Sequence, residues 1–256
     1  MSSAAALPRI LLTNDDGISA PGLHALADAV AAFGEVVIVA PDRERSASSH
    51  ALTLGRALAV QKLGNAQFRV DGTPTDCVHL AFSTLLTDRL PTLVLSGINR
   101  GLNVGDDVTY SGTVAGAMEA TLLGVTALAI SSDYQAGAEP DYEAAARIAA
   151  GLVPRLLTEG LPSRTLLNLN VPVGEVHGIR VTRQGGRQYR ATAREDHGPF
   201  EYRKLWIDVA DTKPTDEPDG DHRAIAEGFA SLSPLTTNWT HDEALGSLAG
   251  WSGAVE

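Results

Sequence analysis

The run Arg9–Thr13 (RILLT) is apolar without a 3.6-residue period and ends on the polar Asn14-Asp15-Asp16-Gly17. Such a run bounded by turn residues predicts a buried strand. Apolar residues then recur at 23, 26, 27, 30 and 33, the stripe of an amphipathic helix over Pro21–Phe33 that Gly34 stops. Val36–Ala40 (VVIVA), Thr92–Ser96 (TLVLS) and Val125–Ser131 repeat the strand pattern, and Thr75–Leu86 and Gly112–Leu123 repeat the helical one. Residues 52–60 and 67–71 read as short strands around a Gly64-Asn65 turn, and Thr73 or Thr75 is placed to cap the helix that follows. Regular alternation of strand and helix predicts an α/β fold with a parallel sheet covered on both faces.

The pattern changes near residue 140, so residues 1–140 read as the core and 141–256 as the part that completes it. Tyr142–Leu157 is a further amphipathic helix, and Thr165–Val171 and Gly178–Thr182 are strands. A Gly- and Arg-rich stretch (184–194), a strand-like Tyr202–Val209 and an acidic loop (211–221) come next. A short helix at Ala224–Gly228, a strand at Phe229–Leu235 and a polar tail close the chain. Residues 184–222 hold too few apolar side chains for a core of their own, so they read as an arm that needs another surface, such as a second subunit. Five Arg between 180 and 194 stand beside six acids between 208 and 221, a pairing that suits contact between subunits.

Composition narrows the chemistry. The 256 residues carry 20 basic and 31 acidic side chains, a net charge of −11, which argues against binding nucleic acid polymers. A single Cys excludes a disulfide framework and a Cys-based zinc cluster, and the seven His never form H-x-H or H-E-x-x-H. No run approaches the ~18 apolar residues of a membrane span. The first charge, Arg9, follows the N-terminal alanines, the wrong order for a secretory signal, so a soluble cytoplasmic protein is the expectation.

In open α/β sheets ligands sit at the carboxyl ends of the strands, which selects three loops. They are Asn14-Asp15-Asp16-Gly17, then Pro41-Asp42-Arg43-Glu44-Arg45-Ser46, then Gly97-Ile98-Asn99-Arg100-Gly101 running through Asn103, Asp106 and Asp107 to Thr113. Adjacent carboxylates at a strand end repel, and a divalent cation relieves that repulsion. Asp15 and Asp16 with oxygen donors such as Ser46 and Asn99 would form an all-oxygen set suited to Mg²⁺ or Mn²⁺. Equally, either Asp could cap the helix near Pro21 or fix the turn with Gly17. Tyr110-Ser111-Gly112-Thr113 opens a helix, whose free N–H groups suit a phosphate, although Ser111 could be an N-cap alone. Neither G-x-x-x-x-G-K-[ST], G-x-G-x-x-G nor G-x-S-x-G occurs. Cys77 reads as a small buried hydrophobe. His50 could touch substrate or face solvent, and Arg43 and Arg45 could bind phosphate or pair with Asp42 and Glu44. A hard-metal carboxylate pair and an anion-binding helix end on one rim point to phosphate-ester chemistry, with Asp15 or Asp16 the available proton acceptor.

ILLTNDDGISAPGL (10–23), VVIVAPDRERSASSHALTL (36–54), GTPTDCVHLA (72–81) and LVLSGINRGLNVGDDVTYSGTVAGAMEA (93–120) closely resemble the SurE family of nucleotidases. LLNLNVP (166–172), GIRVTRQG (178–185) and GFASLSPL (228–235) extend the resemblance over nearly the whole chain. It implies a Rossmann-like three-layer α/β core with a smaller C-terminal β-rich part that reaches across a dimer, sometimes a tetramer. It also implies a metal-dependent phosphatase of nucleoside 5′- and often 3′-monophosphates. The family's metal ligands fall on Asp15, Asp16, Ser46 and Asn99, one divalent cation per subunit. Its phosphate-binding turn falls on Ser111, Gly112 and Thr113, with Asn103 close by. Ser46 is followed by Ala47 where relatives commonly have Gly, and the late A-x-x-x-G-Y ends on Phe229. Two rival readings stand beside this one: a broader phosphatase that also takes polyphosphate, and a nucleotide-binding regulatory module without turnover.

Overall fold

The structure is a computed structural model that describes residues 7–64, 66–138, 140–186, 191–197, 203–209, 215 and 217–252. Its strands are β1 (Arg9–Thr13), β2 (Glu35–Pro41), β3 (Val60–Lys62), β4 (Gln67–Val70), β5 (Leu93–Arg100), β6 (Thr126–Ser132), β7 (Thr165–Val171), β8 (Ile179–Val181), β9 (Ala191–His197), β10 (Arg203–Val209) and β11 (Ala230–Thr236). The α-helices are α1 (Pro21–Val30), α2 (Pro74–Leu80), α3 (Gly112–Leu122), α4 (Tyr142–Glu159), α5 (Asp221–Ala226) and α6 (Asp242–Leu248).

Nine strands form one sheet in the order β3-β4-β2-β1-β5-β6-β7-β11-β8. Its centre, from β4 to β7, is parallel; β3 pairs antiparallel with β4, and β11 antiparallel with β7. This is the α/β fold that the alternation predicts. Period-two side chains on β1 divide it between two cores. Ile10 and Leu12 pack with Leu23 and Leu26 of α1 and Ala145 and Ala149 of α4, while Leu11 packs with Val78 of α2 and Val114 and Ala117 of α3. Two helical layers enclosing a sheet explain why β1 is buried at every residue.

Several elements differ from their sequence reading. The segment 52–60 contributes only Val60 to a strand, because its backbone bonds side chains instead of a ladder. Thr53 N–H donates to Asp76 Oδ1 (2.8 Å) and Ala59 N–H to Asp71 Oδ1 (2.8 Å). The helix at Pro74 is capped by Thr73 in a reciprocal box with Asp76, and α-geometry ends at Leu80 with a π turn over Ala81–Leu85. Part of the Gly- and Arg-rich stretch is strand β9, paired antiparallel with β10 from Ala191↔Val209 to Arg203↔His197. The polar tail contains α6, none of whose residues is buried. Residues 187–190, 198–202, 210–214 and 216, which belong to the arm and the acidic loop, lie outside the described residues.

The sheet order places the loops. β1 lies between β2 and β5, so the chain turns one way after β1 and the other way at β5, and a crevice opens at their carboxyl ends. Thr13 pairs with Ser96, which sets Asn14–Gly17 beside the end of β5. There β5 carries one extra residue against β6, between the pairs Ser96↔Ala129 and Asn99↔Ser131. Gly97 makes this bulge feasible: its φ is +141°, and a Cβ there would lie 2.3 Å from the Ile130 carbonyl oxygen. A bulge of this kind re-aims the residue that follows, here Asn99.

Candidate active site

Asp15, Asp16, Ser46, Asn99, Asn103 and Ser111, drawn from all three loops, line one cavity of about 340 Å³. Backbone bonds hold the loops together: Arg45 N–H donates to the Asp15 carbonyl (2.7 Å) and Ser49 N–H to the Tyr110 carbonyl (3.1 Å). Gly112 and Thr113 do not line the cavity but stand behind it. The Thr113 hydroxyl donates to Asp15 Oδ1, and the backbone N–H groups of Gly112 and Thr113 bear on the same carboxylate. The positive end of α3 is thus turned onto Asp15, and Ser111 does cap the helix, accepting from Val114 N–H at 3.0 Å.

Asp15 is 4% exposed, and burial pushes its carboxyl above the ordinary value despite the bonds from Thr113, its own backbone and Gly112. Burial, and then the Asp15 charge, push Asp16 up to about 6; the Arg100 N–H, 3.2 Å from Asp16 Oδ2, opposes them. Glu44 and Asp107 also line the cavity, where Arg100 is the one basic residue among the described residues. Four acids against one guanidinium make a site that wants a cation. The donor chemistry fits one. Ser46 Oγ donates to Glu44 Oε1 (2.7 Å) and keeps its lone pairs, and Asn99 Nδ2 donates to the Gly101 carbonyl (2.8 Å), which leaves Oδ1 as its ligating atom. Among the described residues no three His, Cys, Asp or Glu are grouped to hold a metal. A hard cation here would need the Ser and Asn oxygens as well as the two carboxylates.

Ala47 sits in the left-handed region at φ +55°, a conformation that costs a residue with a Cβ about 1–2 kcal/mol. That is the physical reason a Gly suits this position.

Other candidates fall elsewhere. Arg45 pairs with Asp42 at 2.9 Å and Arg43 approaches the same carboxylate at 3.5 Å, so both turn to Asp42. Cys77 is fully buried and burial pushes its thiol up, the behaviour of a hydrophobe and not of a nucleophile. His50 neither faces solvent freely nor lines the acidic cavity. Its Nε2 lies 2.9 Å from Glu119 Oε2, while His79 Nδ1 lies 3.0 Å from Oε1. Burial works to raise the Glu119 carboxyl, and the two histidine bonds outweigh it and hold the group low. A carboxylate held low stabilises the fold above its unfolded pKa and loses that contribution as pH falls. Glu119→Gln should therefore cost about 1–3 kcal/mol at pH 7. Thermal melts should show the gap closing below pH 4.5; a gap that persists in acid would refute the pairing.

A second, larger cavity of about 790 Å³ shares only Ser111 with the first and carries mostly apolar surface, including Val181, Leu235 and Trp239. It holds neither Asp and is not where the polar loops converge. Glu44, Arg100, Asp107 and Tyr110, which belong to the three selected loops, also line the acidic cavity; pattern alone gives them no individual role, because single polar residues in polar loops carry no signal. Among the described residues no helix is long and apolar enough to cross a membrane.

Comparison with known proteins bears on the whole chain. The family described as "Survival protein SurE" matches residues 10–191. A protein of Syntrophotalea carbinolica named 5′-nucleotidase SurE is 49% identical over 95% of this chain and 97% of its own. One of the same name from Vibrio cholerae is 43% identical with coverage of 95% and 97%. The crystal structure of the SurE protein from Aquifex aeolicus superposes with a TM-score of 0.84 at 39% identity, covering 95% of this chain and 99% of that one. With the parallel sheet, the three converging loops and full-length similarity in agreement, the chain belongs to the SurE survival protein family.

Proposed function

We propose that the protein is a divalent-metal-dependent phosphomonoesterase that hydrolyses nucleoside 5′-monophosphates, and 3′-monophosphates, to nucleoside and phosphate. The observation that carries this reading is the convergence of Asp15, Asp16, Ser46 and Asn99 on one acidic cavity that Asn103 and Ser111 also line. The relatives' name, 5′-nucleotidase SurE, supports the choice of substrate.

In this reading Asp15, Asp16, Ser46 and Asn99 hold one Mg²⁺ or Mn²⁺. The cation supplies Lewis-acid polarisation of the phosphoryl group and a means of activating water. A dianionic phosphate would otherwise meet the four carboxylates that line the cavity, a charge that the cation would offset. Asn103 and Ser111 receive the phosphate oxygens, while Gly112 and Thr113 at the α3 N-terminus stand behind Asp15, favour its ionised form and orient it. Asp16, less enclosed than Asp15, is the group better placed to accept a proton. The 184–222 arm, with Leu205, Trp206 and Ile207 of β10 exposed, is proposed to form a homodimer or tetramer, and the compartment is proposed to be the cytoplasm.

Phosphate release from AMP should cease with EDTA and return with Mn²⁺ or Mg²⁺. A panel of AMP, GMP, 3′-AMP, p-nitrophenyl phosphate and tripolyphosphate then sets the breadth of the reaction. Undiminished turnover by metal-stripped protein would refute the reading. Calorimetric binding of AMP without phosphate release would replace it by a binding module.

A further inference from the structure

The strand β7 reads TLLNLNV, and its two asparagines are fully buried in the sheet. Asn is a poor strand residue, and a buried amide costs about 1–3 kcal/mol unless its polar atoms are bonded. Val or Leu would serve a covered strand better, and Asn168 Oδ1 is buried with no hydrogen-bond partner among the described residues. What the two amides do bond is the backbone of one residue. Asn170 Oδ1 accepts the Asn103 N–H at 2.8 Å, and Asn168 Nδ2 and Asn170 Nδ2 donate to the Asn103 carbonyl at 2.8 and 3.2 Å.

The side chain of Asn103 is fixed from the neighbouring strand. Its Nδ2 donates to Ser131 Oγ at 2.7 Å, and Ser131 is the register partner of Asn170. A side-chain amide has two N–H donors; Ser131 takes one and leaves the other for the cavity that Asn103 lines. Two residues on, Gly105 N–H donates to Oδ2 of the buried Asp221 at 2.7 Å, a second anchor on the same loop.

We infer that Asn168 and Asn170 are positioning residues for phosphate: they clamp the Asn103 backbone so that its remaining amide N–H meets the oxyanion. The inference rests on the proposed role of Asn103 and deepens it, since it makes the C-terminal half of the chain set the geometry of a phosphate site built on the N-terminal half. The clamp needs both ends of the Asn170 amide, as acceptor and as donor. Asp at 170 keeps the first and loses the second.

The test is titration of inorganic phosphate into the Mn²⁺-loaded full chain by calorimetry, with Mn²⁺ affinity measured separately. Asn170→Ala should weaken phosphate binding about ten-fold, the scale of one lost charge-assisted hydrogen bond. It should leave Mn²⁺ affinity unchanged, and for AMP should raise KM far more than it lowers kcat. Asn103→Ala should weaken phosphate binding at least as much. The double variant Asn103→Ala/Asn170→Ala should bind phosphate no more weakly than Asn103→Ala alone, because one residue acts through the other. Ser231→Ala removes a buried hydroxyl bonded to Thr182 on the strand facing Asn170, with no tie to Asn103; it should lower Tm and leave phosphate affinity intact. Should Asn170→Ala fail to fold, the isosteric Asn170→Asp supplies the same comparison. Wild-type phosphate affinity in both Asn170 variants, or losses that multiply in the double variant, would overturn the inference. Wild-type protein that binds no phosphate would overturn the parent reading as well, so the two failures are distinct.

Discussion

Asp15→Asn should lose at least about 10³-fold in phosphate release while melting no lower than the wild-type chain in EDTA. The two halves of this expectation come from the same geometry. Asp15 is buried, it takes the Thr113 hydroxyl and the backbone donors of Gly112 and Thr113, and burial raises its carboxyl above the ordinary range. In metal-free protein near neutral pH its ionised form opposes folding, since the folded state holds the proton more tightly than the unfolded one. An amide of the same shape removes that opposition. It also removes the charge that would hold the cation, and with it the neutralisation that lets phosphate enter a cavity lined by three further acids. Phosphate release with saturating Mn²⁺, beside melts in EDTA, checks both halves. Turnover within ten-fold of wild type would mean that Asp15 is not a ligand.

Gly112→Ala should cut turnover by at least about 100-fold, although helix propensity alone favours the substitution by about 1 kcal/mol. Gly112 is the first residue of α3, and an added Cβ would lie 2.8 Å from Asp15 Cβ, Asp15 Oδ2 and Ser48 Oγ. The Asp15 carboxylate is enclosed, so either the α3 N-terminus withdraws or the carboxylate is forced to turn away from the cavity. Both outcomes take the carboxylate out of line with Asp16, Ser46 and Asn99, and a displacement of about 1 Å is enough to cost 10²-fold in a positioned reaction. Mn²⁺ affinity should fall in parallel with turnover, while the melting temperature changes little. Unchanged Mn²⁺ binding would show that the contact is relieved without moving Asp15.

Much of this arrangement was legible along the chain. The apolar runs at Arg9–Thr13, Val36–Ala40 and Thr92–Ser96 mark strands because a strand covered on both faces must be apolar at nearly every position. Once they are parallel, their carboxyl ends name three loops, and those loops do share a cavity. Residues 52–60 misled because apolar alternation there is overridden by the side chains of Asp71 and Asp76, which bond the backbone in place of a neighbouring strand. Strand β9 (ATAREDH) carries no apolar alternation to read, unlike its partner β10, and is held by its ladder with that strand. His50 was ambiguous for a related reason: its partner Glu119 is 69 residues away, and only the packing of α3 brings them together.

Periodicity and local chemistry are properties of neighbouring residues, and they were enough to give the α/β class and the strands that carry the polar loops. Tertiary structure alone decided which donors meet. It turned the α3 N-terminus onto Asp15 and brought Asn168 and Asn170 under Asn103 from 65 and 67 residues away. The contacts of Asn103 depend on sheet register, which a one-residue bulge at Gly97 shifts between β5 and β6. Register is set by the packing of both sheet faces at once, which no local stretch of sequence contains.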